Sequence, residues 1–219
     1  MDENIAFFAG LYEVTGARFV ERREWVLEMA GLKDRRKRLT GELPLGWKQR
    51  LALGCAMLHE PPILFLDEPT SGVDPVSRRN FWELIYTLAD HGTTIFVSTH
   101  YMEEAEYCNR LALMNRGRLI ALDAPAALRS RMIEPILEIE TAHGPAAAQA
   151  LQAAPGVIEA AMFGRAVHVV VEDEASAVRT LPAWLESRGI ACAAILPVRP
   201  SLEDVFVSLI RREGGAVIG

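Results

Sequence analysis

The run Ile63-Leu64-Phe65-Leu66 ends in two adjacent carboxylates, Asp67 and Glu68, and then in the turn Pro69-Thr70-Ser71-Gly72-Val73-Asp74. Four consecutive apolar residues read as a buried strand. Successive strand residues point to opposite faces, so the two carboxylates are set up for different tasks. One can hold a metal ion or its water shell while the other polarises an attacking water. That division suits Mg-assisted nucleotide hydrolysis. A strand that merely ends in an acidic turn has the same residues, so the surroundings must decide.

Upstream lies Leu43-Pro44-Leu45-Gly46-Trp47-Lys48-Gln49-Arg50, followed by a mostly apolar helical stretch to Leu58. Downstream, a second apolar run, Thr93-Thr94-Ile95-Phe96-Val97-Ser98-Thr99, ends in His100. Taken in order, these stretches resemble the ATP-binding subunit of ABC transporters, and the closing Pro200-Ser201-Leu202-Glu203-Asp204-Val205-Phe206 resembles the tail of the accessory domain of drug- and antibiotic-export ABC ATPases. The matching landmarks are a signature motif at 43–47, Walker B at 63–67, the glutamate after it at 68, the D-loop at 71–74 and the switch histidine at 100. The resemblance runs from about residue 2 to residue 131.

The resemblance implies ATP and Mg2+ as cofactors. It also implies a head-to-tail dimer with a second ABC ATPase domain, in which each ATP meets the phosphate loop of one subunit and the signature of the other. Asp67 then organises the metal, Glu68 polarises the attacking water and His100 contacts the γ-phosphate. Leu43, Gly46, Trp47 and Gln49 of the signature and Ser71, Gly72 and Asp74 of the D-loop become nucleotide-binding positions, Gly72 and Asp74 crossing the dimer interface. The other implied partner is a membrane permease subunit, which would hold a cytoplasmic protein on the inner face of the cell membrane.

Two departures qualify this. The family's usual signature serine is Pro44 here, and its first glycine is Leu45. Proline has neither a hydroxyl nor an amide hydrogen, so one or two hydrogen bonds to phosphate are lost, each about 1.5–3 kcal/mol. Gly46 and the helix start near Trp47 still offer amides and a favourable dipole. The second departure is larger. The 219 residues contain no G-x-x-x-x-G-K-[ST] run to cradle phosphates; in the stretch from Gly41 to Gly46, Trp47 stands where the lysine belongs. The expectation is the C-terminal portion of an ATPase, inactive alone, with an exposed apolar surface where the first part of the core belongs. The alternative is a non-catalytic interaction module that offers its signature and D-loop in trans.

Bulk properties narrow the partners. A net charge of −6 disfavours a nucleic-acid binder held by phosphate contacts. The basic cluster Lys33-Asp34-Arg35-Arg36-Lys37-Arg38 reads as a solvated inter-helix loop. The acidic start Met1-Asp2-Glu3-Asn4 lacks the basic region of a signal peptide. Cys55, Cys108 and Cys192 are scattered and odd in number, as in a reduced cytoplasmic protein. His100 and Glu104 stand at the i, i+4 spacing that metal ligands also use, but Glu103, Glu104 and Glu106 read as a solvated acidic face.

The positioning elements follow from periodicity. Residues 3–12 and 17–30 read as helices, and a helix over about 75–90 begins at Pro75 after Asp74. Leu111–Met114 and Leu119–Leu122 flank the turn Asn115-Arg116-Gly117-Arg118 and read as a hairpin. Alternating strands and helices imply a mainly parallel sheet with active groups at its carboxyl ends. After Arg131 the pattern becomes strand 136–140, helix 145–153, strands 157–163 and 166–172, helix 176–188, strand 192–197 and helix 202–212. That βαββαβ order is the ferredoxin-like arrangement, with Ser201 and Asp204 as a capping box. The fold class is therefore α/β, an incomplete ABC-type P-loop NTPase domain followed by a small ferredoxin-like α+β domain. The expected boundaries are a helical subdomain at 1–60, a Walker B, D-loop and switch half at 61–131, and an accessory domain at 132–219.

Overall fold

The computed structural model describes residues 1–212 of the chain, which divide into two compact units, Met1–Tyr107 and Cys108 onward. The first begins with three helices, α1 (Asp2–Leu11), α2 (Gly16–Met29) and α3 (Leu45–Ala56). Ile5, Val26, Leu27, Leu32, Leu43, Leu51, Cys55 and Leu58 form their shared core. Burial there pushes the Cys55 thiol up to about 11. Arg22 closes the far end of α3, its guanidinium donating to the carbonyl oxygens of Met57 at 2.8 Å and Leu58 at 3.2 Å. Both carbonyls lie at the helix end, where intrahelical donors run out, and that of Met57 also accepts from the Glu60 amide at 3.1 Å.

The basic cluster is more engaged than a solvated loop. It contains a 3-10 turn, Lys33–Arg35, and Arg36 pairs with Asp2 at 2.8 Å and with Glu24 at 3.1 Å. Lys33 pairs with Glu28 at 3.1 Å.

Two parallel strands follow, β1 (Ile63–Asp67) and β2 (Thr94–Ser98), in the register Phe65 to Phe96 and Asp67 to Ser98. Helix α4 (Pro75–Asp90) crosses between them, and the short helix α5 (Met102–Ala105) comes after β2. The α4 start is local chemistry: Asp74 Oδ1 accepts from the backbone amides of Val76 at 3.1 Å and Ser77 at 2.9 Å, and Pro75 occupies the first turn. Only one face of this ribbon is covered. Leu64 is buried, whereas Ile63, Phe65 and Phe96 on the opposite face are 50%, 74% and 55% exposed. Parallel strands are normally covered on both faces, so this surface is built for further packing.

The second unit opens with the hairpin β3 (Leu111–Asn115) and β4 (Arg118–Asp123). Its two-residue turn, Arg116-Gly117, has positive φ at both positions, the type I′ geometry that hairpins favour. This hairpin and α6 (Pro125–Ser130) belong to the second unit, whereas the sequence reading sets the boundary after Arg131. Next come β5 (Ile136–Glu140), α7 (Gly144–Leu151), β6 (Val157–Phe163), β7 (Ala166–Val171), α8 (Glu174–Glu186), β8 (Ala194–Val198) and α9 (Leu202–Arg212). The sheet order is β6-β7-β5-β8, antiparallel throughout, as a βαββαβ chain requires.

One sheet face presents Leu137, Ile139, Val167, Val169 and Val171 to Ala147, Leu151, Leu181 and Leu185 of the helices. Glu138 and His168, paired across β5 and β7, point away from that core. His168 lies between Asp204 of α9 (Nδ1 to Oδ1, 3.0 Å) and Glu138 (Nε2 to Oε2, 3.3 Å). Asp204 also closes the expected capping box. Its carboxylate accepts from the Ser201 hydroxyl at 2.6 Å, and its amide donates back to that oxygen at 3.1 Å.

Candidate functional site

Asp67, Glu68 and His100 meet at the carboxyl ends of β1 and β2, where a parallel sheet leaves room for a ligand. Asp67 is the last residue of β1 and stands in register with Ser98. Ser98 Oγ donates to Asp67 Oδ1 at 2.5 Å and accepts from the Glu68 amide at 2.9 Å, so one hydroxyl orients both acidic positions. The Glu68 amide also donates to the Ser98 carbonyl at 3.2 Å.

Strand alternation does not separate the two carboxylates. Glu68 has φ +42°, in the left-handed region, so the chain leaves the strand at that residue. A non-glycine residue held there costs about 1–3 kcal/mol, and such strain gathers at functional positions. Glu68 Oε2 lies 3.4 Å from His100 Nδ1, and both side chains are about half exposed. The pair faces solvent.

These residues fit a magnesium ion of the kind that keeps most of its water. Such an ion takes one or two carboxylates, with phosphate oxygens completing the shell. Asp67 is exposed and supplies one carboxylate; among the described residues no group of three or more His, Cys, Asp or Glu side chains could hold a metal by itself.

The signature segment sits beside this centre. Pro44 is the N-cap of α3, which places Leu45, Gly46 and Trp47 in its first turn. Gly46 is buried, and a Cβ there would stand 2.6 Å from Ser77 Cβ and 3.3 Å from Val73 Cγ1. Its glycine is therefore set by close packing against the D-loop and the start of α4. Gly72 has φ +70°, and a Cβ there would stand 3.4 Å from Leu45 Cδ2.

Trp47 is flanked by two guanidinium groups, Arg35 at 4.1 Å and Arg50 at 4.2 Å from its ring. Burial, then the nearby Arg35 charge, lowers the Arg50 pKa against the attraction of Asp74. Leu43 is buried in the helical core, where it anchors the loop instead of facing a ligand. Gln49 and Ser71 are half-buried. Asp74 caps α4, and those amide bonds, from Ser77 first, hold its carboxyl below the ordinary range. The site residues thus fall into three adjoining segments of one unit.

One member was missed. Glu104 was expected on a solvated acidic face, but it is 1% exposed. Glu103 and Glu106 are exposed as expected. Glu104 accepts from the hydroxyls of Thr70 at 2.5 Å and Thr99 at 2.7 Å, and Arg78 Nε lies 3.4 Å from it. Both threonines are in sequence beside site residues, but nothing local marks a glutamate in Glu-Glu-Ala-Glu as their acceptor.

A cavity of about 540 Å3, lined by Arg22, Trp25, Met57, Pro62, Leu88 and Thr93, lies at the amino ends of the strands and contains none of these groups. Among the described residues no helix is long and apolar enough to cross a membrane.

Comparison with known proteins gives the family. A family profile described as "ABC transporter" matches residues 2–71. The chain is 50% identical over 131 residues to the probable multidrug ABC transporter ATP-binding protein YbhF of Escherichia coli, a match covering 60% of this chain and 23% of that protein. It is 35% identical over 214 residues to the Nod factor export ATP-binding protein I of Burkholderia thailandensis, covering 96% of this chain and 67% of that protein. In fold it is similar to cbiO1 of Clostridium perfringens, described as part of the ABC transporter complex cbiONQ. There the TM-score is 0.52 at 27% identity, over 57% of this chain and 51% of that one. The chain thus spans less than a quarter of YbhF and about two thirds of the Nod factor export protein. By these matches the chain belongs to the ATP-binding proteins of ABC transporters.

Proposed function

We propose that these residues supply the Walker B, switch and signature elements of an ABC exporter ATPase, and that the phosphate loop comes from residues outside the 219. The observation that carries this is the Asp67–Ser98–Glu68 cluster at the open carboxyl end of a two-stranded ribbon covered on one face. Bound Mg-ATP would bring the electrophilic γ-phosphate and its charge-neutralising metal to that end. Asp67, oriented by Ser98, would hold the metal's water shell. Glu68 accepts a proton from the attacking water, and His100, 3.4 Å from Glu68, donates to the transferring phosphoryl group. Phosphoryl transfer needs little more from the protein than such positioning and charge.

The signature stretch Leu43–Gln49 and the D-loop stretch Ser71–Asp74 face a second ATPase domain in a head-to-tail dimer. Leu45 and Gly46 amides at the start of α3 replace part of what Pro44 cannot donate. A membrane permease receives the work, which places the protein at the inner face of the cell membrane, and the domain from residue 132 serves packing or dimer contact.

The test combines this chain with a domain that carries a phosphate loop and follows ATP turnover. Glu68→Gln should abolish turnover while nucleotide binding persists, and Asp67→Asn should raise the Mg2+ concentration that turnover requires. Turnover indifferent to both substitutions would instead favour the non-catalytic role, in which the signature and D-loop merely complete another subunit's site.

A further inference from the structure

Glu104 lies at the junction of three elements, and each of its contacts leads to a part of the site. Oε1 accepts from Thr70 Oγ1, two residues after Glu68. Oε2 accepts from Thr99 Oγ1, one residue before His100. Arg78, on α4, lies 3.4 Å from Oε1 and stacks its guanidinium over the Tyr101 ring at 4.1 Å. The Tyr101 ring in turn lies 4.1 Å from the His100 ring, and its amide donates to Thr99 Oγ1 at 3.0 Å. Both chain neighbours of His100 are therefore fixed by Glu104, one directly and one through Arg78. On the other side, the Thr70 carbonyl accepts from Val73, and the Glu68 carbonyl accepts from Ser71, each at 3.1 Å. That closes the turn from Glu68 into the D-loop.

We propose that Glu104 is a positioning residue which locks the turn bearing Glu68 and the D-loop to the loop bearing His100, so that the two strand ends move as one body. This deepens the reading above and rests on it for its catalytic consequence. A buried carboxylate suits the task because leaving it unsatisfied is costly, which makes the paired arrangement of Thr70, Thr99 and Arg78 strongly preferred. Glu104 is 1% exposed, so it acts through its partners.

The experiment uses the nearly isosteric variants Thr70→Val and Thr99→Val, which remove one arm each and keep the fold, with Thr70→Ser as the conservative control. Amide hydrogen exchange on the full chain is read first. Thr70→Val should speed exchange around Tyr101, and Thr99→Val should speed it across 68–74. The expected factor is about ten, the size of losing one hydrogen bond to a buried charge. Acceleration confined to the loop that was altered overturns the proposal. In the assembly with a phosphate-loop domain, each valine variant should lower kcat about ten- to a hundredfold and shift the KM for ATP less than about threefold. Thr70→Ser should stay near the parent rate. A raised KM at unchanged kcat also overturns the proposal. If the parent assembly shows no turnover, the ATPase reading falls, and the hydrogen-exchange result alone decides the role of Glu104.

Discussion

Phe65 and Phe96 stand directly across from each other on parallel strands, rings stacked with centroids 5.1 Å apart, and both are largely exposed. Together with Ile63 they form an apolar path along the ribbon's open face towards Asp67. Exposed apolar faces of this kind mark a surface that another element covers.

The first expectation is that the 219-residue chain alone self-associates through this face. It should bind a hydrophobic dye such as ANS and elute as a broad, concentration-dependent species. Phe65→Ser with Phe96→Ser should reduce dye binding and raise solubility. A parent chain that is monodisperse, dye-silent and cooperative in unfolding would contradict this.

A second expectation concerns Gly46. Its missing Cβ is required by Ser77, whose Cβ would be 2.6 Å away. Gly46→Ala should destabilise the first unit by about 1–3 kcal/mol through overpacking. Denaturant unfolding measures it, and Ser77→Gly in the same chain should recover most of the loss. An unchanged midpoint for Gly46→Ala would mean that the signature helix does not pack this closely on α4.

The third expectation is a pH dependence in the second unit. Burial disfavours the His168 charge, but the hydrogen bonds to Asp204 and Glu138 outweigh it and hold the imidazole above its ordinary value. For Asp204, burial pushes the carboxyl up, yet the His168 and Ser201 bonds outweigh this and hold it below the ordinary range. The stabilisation from His168 is complete below its unfolded value of about 6.5 and fades as pH rises through the raised folded value. That from Asp204 is complete above about 3.9 and fades as pH falls through the lowered folded value. The clamp on α9 is therefore strongest between about pH 4 and 6.5. The melting-temperature advantage of the parent chain over His168→Gln should be largest in that window and shrink towards about pH 9. A difference constant with pH would sink the clamp.

How much of this was legible in the sequence depends on the distance over which each feature is determined. Asp74-Pro75 announces the start of α4 because its cap uses amides two and three residues away. Ser201 and Asp204 announce α9 for the same reason. The βαββαβ order follows from local periodicity, and the sheet order follows from that connectivity. Glu104 is different. Its burial depends on Thr70, 34 residues earlier, and on a helix of four residues, too short to show a buried face. Leu43 reads as part of a ligand motif, yet it is drawn into a core assembled from α1, α2 and α3. The strained backbone of Glu68 was hidden as well, since contacts to Ser98, 30 residues away across the strand pair, help to hold it.

The central claim is that Asp67 and Glu68 form half of an ATP site and need a phosphate loop from outside these residues. Steady-state ATP turnover tests it most directly, with the purified chain alone and then with a phosphate-loop domain added. The account expects no turnover above background alone, and Mg-dependent turnover on addition that Glu68→Gln abolishes. Turnover by the chain alone, lost in Glu68→Gln, would contradict it.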